Sequence, residues 1–84
     1  MSAITIRRIR FNVYPNDHDP PHVDVEIDGL KMAIAFGTDT IPPVIIRKNR
    51  RIRRPDVKKA LEIFQENQEE LKELYRKVNA EIRK

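Results

Sequence analysis

The sequence predicts an α+β fold: a small antiparallel sheet of three to four strands with one long C-terminal helix. Three observations carry this. Apolar residues alternate on both sides of Asp28-Gly29, as Val23, Val25 and Ile27 and then as Leu30, Met32, Ile34 and Phe36. A second alternation, Ile9, Phe11 and Val13, lies upstream. From Val57 onward the apolar residues instead recur at spacings of three and four, the period of one helix face. The 84 residues read as a single domain, residues 1–84.

Ile4 to Tyr14 reads as a first strand. Its apolar parity changes between Ile4-Ile6 and Ile9-Phe11-Val13, so Arg7-Arg8 is expected to hold a bulge or the true strand start. Tyr14-Pro15-Asn16-Asp17 ends the strand, because proline cannot donate to a ladder and Asn and Asp favour turns. Asp28-Gly29 predicts a tight hairpin, since both turn positions need positive φ. The register then follows. Ile27 faces Leu30, Val25 faces Met32 and Val23 faces Ile34 on the core side. Glu26 faces Lys31, Asp24 faces Ala33 and His22 faces Ala35 on the other.

Gly37-Thr38-Asp39-Thr40 reads as a loop and Ile41-Pro42-Pro43 as a stiff elbow. Val44-Ile45-Ile46 is a short strand, placed at an edge by the prolines before it. Pro55 suits the first helical turn and Asp56 the positive end of the helix dipole. The apolar stripe runs Val57, Ala60, Leu61, Phe64, Leu71, Leu74, Tyr75, Val78 and Ile82, with Gln65, Asn67 and Gln68 interrupting it. A helix of that length crosses the whole sheet, breaks near Asn67, or projects to form a homodimer. Packing on its own sheet ranks first. Glu73 and Lys77 are spaced for an i, i+4 ion pair.

The chain has no cysteine, which excludes disulfides, thiolate metal sites and a cysteine nucleophile. Ser2 is the only serine, so no serine triad is indicated. The N-terminal residues lack the apolar run of a signal peptide, and no stretch is long enough to span a membrane. A cytoplasmic protein is expected. The net charge is +4, and eight of the seventeen Lys and Arg lie between Arg47 and Lys59.

Six of those cations, Arg47, Lys48, Arg50, Arg51, Arg53 and Arg54, fall within eight residues. Charges of one sign at this density repel, so the segment is expected to be exposed and mobile unless it meets an anion. Nucleic-acid phosphate is the commonest matching polyanion. Other anionic partners are an acidic protein face or a membrane surface. No aromatic residue lies within the run, so base stacking is not indicated.

A second cluster is Asp17-His18-Asp19-Pro20-Pro21-His22-Val23-Asp24, which holds both histidines of the chain. The double proline makes it stiff and extended. Imidazole with carboxylate suits a divalent metal, with His18, His22 and Asp24 as ligands and Asp17 as a base. Asp17 and Asp19 equally suit Asx-turns. His22 and Asp24 emerge on the non-core face beside Ala33 and Ala35, whose small side chains leave open space or sit under a cover.

The pattern Tyr14, Asp17-His18-Asp19-Pro20-Pro21-His22-Val23-Asp24-Val25, Gly29 and then a C-terminal helix resembles the small bacterial proteins grouped as domain of unknown function 4160. Their core motif reads Asp-His-x-Pro-Pro-His-Phe-His. Here Val23 stands in place of the aromatic and Asp24 in place of the last histidine. The resemblance implies a gene beside a second small gene, as in a toxin–antitoxin-like pair. The function expected is an interaction protein that binds a protein partner and, through Arg47–Arg54, nucleic acid. The alternative is a metal-dependent hydrolase or nuclease built on His18, His22 and Asp24. No cofactor beyond a divalent metal is called for.

Overall fold

The computed structural model describes residues 2–14 and 21–82. Five strands form one antiparallel sheet: β1 (Ser2–Ile6), β2 (Ile9–Val13), β3 (His22–Ile27), β4 (Leu30–Ala35) and β5 (Val44–Lys48). Their order in the sheet is their order in the chain. Two helices follow, α1 (Arg54–Glu66) and α2 (Gln68–Ile82). The sheet is thus larger than the three to four strands expected, and the one long helix is two.

The extra strand comes from Arg7-Arg8. Both arginines have positive φ, 51° and 70°, and they form a two-residue turn rather than a bulge. Ile6 pairs with Ile9, Ile4 with Phe11 and Ser2 with Val13. A two-residue turn pairs even positions with odd ones, so Ile4 and Ile6 fall on the face of Ile9 and Phe11. The parity change therefore marks a hairpin. The same change flanks Asp28-Gly29, whose φ values of 49° and 80° match the expected primed turn. The β3–β4 register agrees with the sequence at all six pairs, from His22 with Ala35 to Ile27 with Leu30.

β5 lies at the sheet edge, as the prolines imply, and pairs with β4. The register shifts between Ala33 and Ile34: Ala33 pairs with Arg47 and Ile34 with Ile45. Ile46 is the additional residue of that bulge.

The helices cover one face of the sheet. Ile9, Phe11, Val13, Val23, Val25, Ile27, Met32 and Ile34 form one cluster with Ile52, Ala60, Ile63, Phe64, Leu71 and Val78. Phe36 joins both helices to the end of β4, its ring centroid 5.5 Å from Phe64 and 5.5 Å from Tyr75. Leu71, Leu74, Tyr75 and Val78 of α2 therefore pack inside the protein.

The break between helices sits at Asn67, whose φ/ψ of −116°/16° leaves the helical well. An unbroken helix of this length would run to roughly 43 Å at 1.5 Å per residue, whereas five strands at about 4.8 Å spacing span roughly 20 Å. Asn67 serves both helices. Its Nδ2 donates to the Ile63 carbonyl at 2.9 Å, and its own carbonyl accepts from Leu71 N–H at 3.0 Å. On the exposed side of α2, Glu73 pairs with Arg76 at 3.2 Å, rather than with Lys77. No described helix is long and apolar enough to cross a membrane.

Candidate nucleic-acid interface

The sheet face turned away from the helices carries the polar positions of each strand. Two cross-strand rows can be read from the register. One is Thr5, Arg10, Glu26 and Lys31. The other is Ala3, Asn12, Asp24, Ala33 and Arg47. Arg10, Asn12, Tyr14, Asp24, Glu26, Lys31, Arg47, Lys48 and Asn49 line an open cavity of about 740 Å³ on this face.

Arg47 starts on β5 and ends at β3. Its Nη2 donates to Asp24 Oδ1 at 3.2 Å and lies 3.4 Å from His22 Nε2. The residue between them in register is Ala33. A side chain crossing a strand needs a small residue beneath it, and Ala33 is only 1% exposed. The space over Ala33 is accordingly taken by the protein's own guanidinium. Asn12, 8% exposed, is the one buried polar residue described, and its Oδ1 accepts from Arg10 Nε at 2.9 Å.

The basic segment is exposed, as charge repulsion requires, but it is also built. Asn49 N–H donates to Lys31 O at 3.0 Å, which extends the sheet ladder by one residue. Asn49 Oδ1 accepts from Arg51 N–H at 2.8 Å, and Asn49 O accepts from Ile52 N–H at 3.2 Å. Ile52, 4% exposed, pins the turn to the core. Arg47 and Lys48 belong to β5, Arg50 and Arg51 to the turn, and Arg54 opens α1 with Arg53 before it. All six side chains are exposed. Arg51 and Arg53 border a smaller cavity, of about 320 Å³, that Asp28 and Asp56 also line.

Of the metal candidates, Asp17 and His18 lie outside the described residues. His22 and Asp24 do come together, with His22 Nε2 3.9 Å from Asp24 Oδ1. Among the described residues no group of three His, Cys, Asp or Glu gathers as a metal would need. What stands beside the pair is the cationic end of Arg47.

A family model described as Domain of unknown function (DUF4160) matches residues 8–76. The chain belongs to this family. The DUF4160 match opens in the β1–β2 turn and closes within α2, so it takes in β2 to β5, the basic turn and the helix joint. Comparison with curated proteins and with solved structures gave no match.

The cavity residues that sequence reasoning missed are Arg10, Asn12, Tyr14 and Lys31. The signal for them was present. They occupy the polar parity of strands whose apolar parity had already been assigned to the core. Parity alone puts Arg10 and Asn12 on the outer face, while their pairing with Glu26 and Asp24 is set by the β2–β3 ladder.

Proposed function

We propose that this protein is a small interaction module that binds nucleic acid through phosphate contacts from Arg47, Lys48, Arg50, Arg51, Arg53 and Arg54. The observation that supports it most is the continuity of this segment with the sheet face. β5 delivers Arg47 and Lys48 to the cavity that Arg10 and Lys31 also line, so cations from three strands meet one built turn. Asp24 is already engaged by Arg47, and a guanidinium beside His22 and Asp24 favours an approaching anion over a second cation. Phosphate contacts of this kind release counterions and weaken steeply with salt.

The test is a gel-shift titration at two salt concentrations, comparing the parent with a variant in which Arg50, Arg51, Arg53 and Arg54 are all serine. None of the four is in the apolar core, so the thermal unfolding transition should survive. The variant should bind more weakly and with a flatter salt dependence, each lost contact removing a slope of roughly 0.9 on duplex DNA. Equal, weak binding by both proteins would strike nucleic acid from the reading and leave an acidic protein face as the partner of the basic turn.

A protein partner is favoured by a separate observation. β5 is an edge strand whose Val44 and Ile46 are 51% and 38% exposed, with Ile41 exposed just before them. Such an edge accepts an extended segment of another chain. The resemblance to members paired with a second small gene suggests where that chain is encoded. In a pull-down with the neighbouring gene product present, replacing Val44 and Ile46 by Lys should abolish capture. Undiminished capture would move the partner to another surface.

A further inference from the structure

The basic run contains no aromatic residue, yet the fold brings one to it. Tyr14 directly follows β2, far upstream of Arg47, and lines the same cavity as Arg47, Lys48 and Asn49. It is 38% exposed. Two amides, Asn12 and Asn49, and the Glu26 carboxylate line that cavity with it. At about 740 Å³ the volume is within the range of small-ligand sites.

We infer that the outer-face cavity takes an unstacked base of a single-stranded nucleic acid, with flanking phosphates on Lys48 and the turn that follows it. The inference rests on the nucleic-acid reading above and deepens it to a strand type. The cavity is of mixed charge, with Asp24 and Glu26 among Arg10, Lys31, Arg47 and Lys48. From Lys48 through Arg50, Arg51, Arg53 and Arg54 the exposed run carries cations and no carboxylate, which is where the flanking phosphates would be held. An aromatic ring, two amides and a carboxylate are groups that stack on a base and bond to its edge. Glu26 lies on the cavity face between Arg10 and Lys31 in register, and a carboxylate there can accept from an exocyclic amine. A duplex keeps its bases stacked on one another and has no free ring face to offer Tyr14.

The experiment is fluorescence anisotropy with a labelled ten-nucleotide single strand and with a duplex of the same length. The parent, Tyr14→Ala and Tyr14→Phe are compared at one low salt concentration. The single strand should bind the parent more tightly than the duplex does. Tyr14→Ala should lose roughly 5- to 140-fold on the single strand, as expected for one lost base–aromatic stack, and nothing on the duplex. Tyr14→Phe, which keeps the ring and the fold, should restore the affinity. If Tyr14→Ala matches the parent on single strands while the four-arginine variant is weakened, the base site is wrong and the phosphate reading stands. If neither nucleic acid binds the parent, both fall.

Discussion

At the level of single residues, Arg7 and Arg8 are the most informative. An L-residue in the left-handed region costs about 1–2 kcal/mol, because Cβ crowds the following carbonyl. Two arginines in succession adopt it here, held by the pairing of Ile6 with Ile9 and Ile4 with Phe11 on either side. Replacing the pair by Asn-Gly (Arg7→Asn with Arg8→Gly) should therefore stabilise the protein by about 1–2 kcal/mol, read as a raised urea midpoint at constant m-value. An unchanged midpoint would mean that the arginines make compensating contacts. The same pair explains why the sheet was read too small. Asp28-Gly29 announces a primed turn by residue type, and its whole register was legible. Arg7-Arg8 has no turn chemistry, and only the parity of the flanking apolar residues betrayed it. Arg47 was legible as a cation, but not as a strap. Reaching Asp24 depends on Ala33 lying between them, and that neighbour is set by sheet pairing rather than by sequence distance.

At the level of elements, the joint between the helices was legible as an interruption at Gln65, Asn67 and Gln68, but its partner was not. Gln68 Oε1 accepts from Gly37 N–H at 3.1 Å, which fastens the start of α2 to the β4–β5 connection. Gly37 sits where the chain folds tightly on itself. A Cβ added there would meet Ile41 O at 2.5 Å and Pro43 N at 2.8 Å, both backbone atoms. The prolines at 42 and 43 stiffen that stretch, so it cannot give way cheaply. Gly37→Ala should thus destabilise by about 1–3 kcal/mol, the usual range for overpacking, and should lower the thermal midpoint by several degrees. Gly29→Ala is a useful comparison, because no atom lies within 4 Å of its added Cβ and only the positive φ opposes it. An unchanged midpoint for Gly37→Ala would show that the connection rearranges freely. The basic turn is a second case. Its charge was plain in the sequence, while its order depends on Asn49 and on Ile52 reaching the core.

At the level of the whole molecule, the sheet has one dry face and one wet face. Which residues belong to the dry face was largely legible, since alternation and the helical stripe name Phe11, Val23, Val25, Ile34, Phe64 and Leu71, all fully buried. The wet face was legible strand by strand but not as a surface, because the rows that compose it run perpendicular to the chain. Each strand also lies beside its neighbour in sequence, with β1 beside β2 and so on to β5. During folding, then, no strand waits for a distant partner, and the entropy of closing long loops is small at each step. A chain emerging from the ribosome N-terminus first can pair β1 with β2 while β4 is still unmade. The sheet can grow by accretion, one edge at a time. Only the helices, which come last, must reach back over strands already formed.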